Sequence, residues 1–126
     1  MARVVLLQFD TDPGCAVRRA QIASVYPDFA EAEPRWPVFF DVLREQGPDL
    51  VVISCSKLPS HGREAARYIN EGFNTRDIDV LLIDVAPHER SRTHAAAPMS
   101  HIVGRDRLTE EIRARLADKR ATNERR

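Results

Sequence analysis

Several residue types are scarce in this chain, and each scarcity removes a class of function. There are two cysteines, Cys15 and Cys55, on different predicted elements. No His or Cys pair has the spacing of metal ligands, so neither a disulfide framework nor a zinc site is expected, and the thiols read as reduced and buried. Aromatic residues make up 6% of the sequence and stop at Phe73, which leaves the C-terminal part without a stacking platform for nucleic acid. Glycine occurs five times and never in a phosphate-cradling cluster. The longest apolar runs, Val4–Leu7, Leu50–Ile53 and Val80–Ile83, fall far short of the ~20 residues that span a bilayer. Met1-Ala-Arg leads straight into the first of them, so no secretory signal is read and a cytoplasmic protein without membrane contact is expected. Lysine is rare beside arginine, two against seventeen, a bias that suits a GC-rich bacterial genome.

What remains is an ordinary globular composition. The 126 residues are 43% hydrophobic and 30% charged, enough for one domain with its own core. Net charge is zero but unevenly spread: −4 over residues 1–86 and +4 over residues 87–126. A basic C-terminal helix, favourable for the helix dipole, accounts for this without nucleic acid.

Strands and helices alternate five times. Arg3–Phe9 is an almost continuous apolar run that ends in the acidic turn Asp10-Thr11-Asp12-Pro13-Gly14. Asp12 is the expected cap of a first helix, which would turn Val17, Ala20 and Ile22 inward and Arg18 and Arg19 outward. Asp28–Glu33 is a weak edge strand. Pro34–Pro37 opens a helix running to Gln46, with Phe39, Phe40 and Leu43 on its core face, and Gly47-Pro48 ends it. Asp49–Ser56 reads as the central strand. His61–Glu71 follows as a helix capped by Ser60, with Ala65, Ala66 and Ile69 buried and Gly72 as its stop. Asp79–Ala86 is a further apolar strand, with Asp84 expected to be exposed at its end. Pro87–Ala97 is a short helix, Ser100–Val103 a brief strand, and Asp106–Lys119 a last helix with Leu108, Ile112, Arg115 and Leu116 along one side. Residues 1–120 form one domain, and 121–126 a polar tail. Apolar strands separated by amphipathic helices predict a single doubly wound, five-stranded parallel α/β sheet of the flavodoxin type.

Such sheets work at the C-terminal ends of their strands, where this sequence places Asp10, Thr11 and Asp12, then Ser54, Cys55 and Ser56, then Asp84 and Ala86, then Gly104 and Arg105. The first turn has one glycine between carboxylates and cannot cradle phosphate. Asp10 and Asp12 lack the third carboxylate that a hard cation would want from the central strand. Ser54 and His61 are not arranged as a nucleophile elbow, Cys55 has only Lys57 near it as a cationic activator, and the first turn has no histidine to bind cobalamin.

Four stretches in order resemble the receiver domains of bacterial response regulators: RVVLLQFDTDP, YPDFAEAEPRWPVFFDVLREQGPDLVVIS, KLPSHGREAARYIN and GRDRLTEEIRARL. In that family paired acids after the first strand hold Mg²⁺ and an aspartate on the third strand takes a phosphoryl group. A Thr or Ser after the fourth strand and a Lys after the fifth respond to it. Carried over, Asp10 and Asp12 match acidic places, but Thr11 stands where the second acid belongs. Ser54 falls at the phosphoacceptor, with Cys55 as the alternative. Ala86 and Asp84 offer no hydroxyl, and Gly104 replaces the lysine. Serine cannot form an acyl phosphate, so the resemblance implies a degenerate receiver with no catalytic residue, metal or cofactor, acting in two-component signalling through protein contacts. The family's fourth helix, fifth strand and fifth helix commonly meet a partner. Here that face would carry Arg90, Arg92, Arg107, Arg113 and Arg115 and would suit a homodimer or another protein. The alternative is a small ligand-binding protein or enzyme using the same crevice.

Overall fold

A computed structural model describes residues 2–35 and 37–124, with side chains described as far as residue 120. Trp36, inside the expected helix start Pro34–Pro37, and the last two residues of the polar tail lie outside the described residues.

Five strands, β1 (Val4–Gln8), β2 (Ala30–Ala32), β3 (Leu50–Ser54), β4 (Asp79–Ile83) and β5 (His101–Ile102), form one sheet in the order β2-β1-β3-β4-β5. Every pairing is parallel, and the β1–β3 register sets Gln8 beside Ser54. The helices are α1 (Gly14–Ala23), α2 (Val38–Gln46), α3 (Pro59–Glu71), α4 (Arg90–Ala96) and α5 (Leu108–Glu124). Single 3₁₀ turns, Pro87–Glu89 and Arg105–Arg107, lead into α4 and α5. The last helix therefore extends into the stretch expected as a tail.

Strand residues alternate between two cores, as period-2 side chains on a doubly covered sheet must. Val5, Leu7, Val51, Ile53, Val80 and Leu82 face Phe39 and Leu43 of α2 and Ala65, Ala66 and Ile69 of α3. Val4, Leu6, Leu50, Val52, Leu81 and Ile83 face Ile22 of α1 and Leu108 and Ile112 of α5. The small side chains of α3 let its backbone lie close to β3. A Cβ on Gly62 would come within 2.7 Å of the Cys55 sulfur and 3.4 Å of Ile53 Cγ2. Gly62→Ala is therefore expected to cost about 1–2 kcal/mol, because overpacking outweighs the helix propensity gained. In a Cys55→Ala background the clash is gone, and the same change should stabilise by about 0.5–1 kcal/mol. Urea denaturation of the four variants measures both signs.

Three local expectations are corrected. Asp12 does not cap α1: Pro13 occupies that position without a side-chain hydrogen bond, and Asp12 turns to Arg18 instead. Ser60 does not cap α3, which begins at Pro59, two residues before the expected start, with Leu58 as its N-cap. On α1 the inward face is Cys15, Arg18 and Ile22, while Val17 is 55% exposed and Ala20 is also at the surface. A buried arginine on this face is what builds the site.

Candidate functional site

The topology brings the ends of β1, β3 and β4 together beside α1, at the point where the strand order reverses from β1 to β3. Into that crevice α1 delivers Arg18, whose side chain is 2% exposed. Its Nε donates to Asp84 Oδ2 at 2.8 Å. Its Nη1 lies 3.3 Å from both Asp10 Oδ2 and Asp12 Oδ1 and donates to Gln8 Oε1 at 3.1 Å. A planar fork with five donors suits such convergent acceptors, as a lysine would not. Burial by itself would lower the Arg18 pKa, but the Asp84 hydrogen bond and the charges of Asp84, Asp10 and Asp12 outweigh it and raise it.

Asp10 is held on its other side as well. Ser54 Oγ donates to its Oδ2 at 3.1 Å, and the Lys57 backbone N–H donates to its Oδ1 at 3.0 Å. Asp84 is doubly paired: besides Arg18, Arg105 Nε lies 3.0 Å from its Oδ1, and Arg105 Nη2 donates to its Oδ2 at 3.2 Å. Its backbone sits in the left-handed region, φ 59°, a conformation that an aspartate adopts at some cost. The Gln21 side chain donates to the Arg105 carbonyl at 2.6 Å, a second tie between α1 and the segment after β5.

Three carboxylates and two guanidiniums thus meet at the strand ends. Gln8 completes the group imperfectly. It is 3% exposed, and its Nε2 is a buried side-chain donor without a partner among the described residues.

No family model matches the sequence, and no curated protein matches it significantly. Among solved structures, the chain is similar to the signal receiver domain of a DNA-binding response regulator protein (merR) from Colwellia psychrerythraea 34H, with a TM-score of 0.68 over 90% of this chain and 98% of that one, at 16% identity. The fold is that of a receiver domain.

Within this receiver fold, the expected site residues fall as follows. Asp10, Asp12 and Ser54 converge on one cluster. Thr11 is exposed at the turn, and Ala86 is half-buried as the residue before the 3₁₀ turn. Gly104 brings no side chain to the cluster, whereas its neighbour Arg105 does. Cys55 is buried against α3, on the opposite side of the sheet from Ser54, and burial pushes its thiol from 9.0 up to about 12. It is therefore an inert core thiol at neutral pH. Both cysteines are free and buried. His61 packs its ring on Phe9, at 5.5 Å between centroids, and Ser54 gives its hydrogen bond to a carboxylate rather than to a histidine.

Asp84, expected to be exposed, has a side chain only 18% accessible and stands between two arginines. Arg18, expected outward, is the most connected residue of the site. Gln8 offered a signal, being a polar residue at a strand position whose register neighbours Val4 and Leu6 face the core. Arg18 and Asp84 offered less, because their partners lie 66 residues apart.

A receiver fold raises the question of Mg²⁺, and the donor set does not fit it. The oxygens of Asp10 that a cation would need already accept from Ser54, Lys57 and Arg18, and Arg18 also holds Asp12. A divalent ion would have to share these ligands with a fixed positive charge about 3 Å from them.

The candidate interface arginines lie on or beside α4 and α5. Arg92 lies near Glu89, Arg107 near Glu110, and Arg115 near Glu111 and Asp79. Arg90 and Arg113 are exposed and have no carboxylate partner among the described residues. No described helix is long and apolar enough to cross a membrane.

Proposed function

We propose that this chain is a signalling or scaffold module that works through protein contacts and independently of phosphorylation, as a degenerate receiver without enzymatic activity. The observation that carries the reading is Arg18. A guanidinium anchored on α1 pairs with the acids at the strand ends, and the end of β3 offers the hydroxyl of Ser54 in place of a carboxylate. An aspartyl phosphate needs a carboxylate free to act as nucleophile, whereas the end of β3 carries Ser54 and the carboxylates of the crevice are held by arginines. Function then rests on the outer surface. The face of α4, β5 and α5 is its best candidate, with Arg90 and Arg113 as uncompensated charges that an acidic surface on another protein, or on a second copy of this chain, would meet. The reading of the crevice as a small-molecule site is weaker, because Arg18 and Arg105 already occupy it.

Intact-mass measurement after incubation with Mg²⁺ and a small acyl-phosphate donor tests the proposal. Unchanged mass is the expected result. A gain of one phosphoryl group would overturn it and require the modified residue to be mapped.

A further inference from the structure

The segment between β4 and α4 is tied down at both ends by arginines from other elements. At its start, Asp84 is gripped by Arg18 of α1 and by Arg105 after β5, and its backbone is in the left-handed region. At its end, Glu89 Oε2 accepts from Arg63 of α3 at 2.7 Å, and both side chains are 14% exposed. Between them lie only four residues, Val85 to His88, among them Pro87, whose ring fixes φ. The helix that follows is pinned at its far end too. Asn70 of α3 accepts from the Met99 N–H at 3.1 Å and from the Ser100 hydroxyl at 3.2 Å.

We propose that residues 84–89 form a segment clamped by the chain's own charges, which sets α4 in a single position and presents its face permanently, with no bound ion or covalent modification required. The argument is one of redundancy. A left-handed aspartate at the end of a strand persists only where its surroundings over-determine it. Here two guanidiniums approaching from different elements do so. The Arg63–Glu89 pair is shielded from water and so less screened than a surface pair. Loosening either end would free a short lever that ends in α4. This inference extends the phosphorylation-independent reading by naming what replaces the external trigger.

Hydrogen exchange followed by mass spectrometry on the full chain tests the clamp, comparing wild type with Asp84→Asn, Arg63→Met and the double variant. Asparagine tolerates left-handed backbone but removes the charge, so Asp84→Asn separates the ion pairs from the backbone geometry. Exchange across residues 89–97 is expected to quicken at least tenfold in each single variant and further in the double, while β1 and β3 keep wild-type protection. Trypsin should then cut after the exposed Arg90 and Arg92 with a matching acceleration. Unchanged exchange in the double variant would overturn the proposal, as would an equal acceleration over β1 and β3, which would mean global rather than local loosening. The phosphoryl mass measurement fails separately. A wild type that gains phosphoryl mass while residues 89–97 respond as expected would remove the proposed function and leave the clamp standing.

Discussion

Arg18→Met is expected to destabilise the protein by about 3–5 kcal/mol, a large part of the roughly 5–15 kcal/mol that holds a domain of this size together. Methionine keeps most of the stem, so the loss isolates the charge. What remains is Asp10, whose side chain is fully buried, together with Asp12 and Asp84, facing one another with only Arg105 to offset them. Removing one partner of a buried ion pair costs far more than the pair contributes over a well-packed apolar alternative, because the survivor's desolvation is no longer compensated. The neighbouring Arg19 provides the contrast. It pairs with Glu31 at the surface, 48% exposed, and Arg19→Met should leave the urea midpoint almost unchanged. Equal effects from the two substitutions would show that Arg18 acts as an ordinary helix residue rather than as the counter-ion of the crevice.

Ser54→Asp, which puts a carboxylate at the buried end of β3, should weaken the fold by about 2–4 kcal/mol. Ser54 is 1% exposed, and its hydroxyl is the donor to Asp10 Oδ2. A carboxylate has no proton to give at neutral pH, so Asp10 loses a hydrogen bond and gains a buried anion beside it. Arg18 offers some attraction, but it is already engaged by Asp10, Asp12, Asp84 and Gln8. Ser54→Ala, which removes the donor without adding charge, should cost only about 1 kcal/mol by thermal or urea unfolding. A Ser54→Asp protein more stable than wild type would mean that the cluster carries surplus positive charge, contrary to the pairing described.

The architecture was readable because local signals agreed with it. The runs Val4–Leu7, Leu50–Ile53 and Val80–Ile83 read as strands buried on both faces, and Gly47 and Gly72 stop their helices where expected. The weak strand at Ala30–Ala32 was legible only as an edge, and an edge is what it forms. The site was half legible. Asp10, Asp12 and Ser54 could be placed together because strand ends in a doubly wound sheet converge. The residue that decides their chemistry could not. Along α1, a rule that sends charge outward and apolar residues inward assigns Arg18 to solvent and Val17 to the core, and the structure reverses both. The reversal comes from carboxylates on β1, its following turn and the end of β4, which no helical periodicity reports. The burial of Asp84 between two arginines was illegible for the same reason, since those arginines come from α1 and from the segment after β5.

A cation carried on a helix differs from one drawn from solution in a way that bears on how the protein would respond to its surroundings. Its effective concentration at the acids is fixed by covalent connection, so a chelator would not remove it. Receptors that borrow their ion inherit its fluctuations. With Arg18 in place, a counter-charge of this crevice is written into the chain at synthesis.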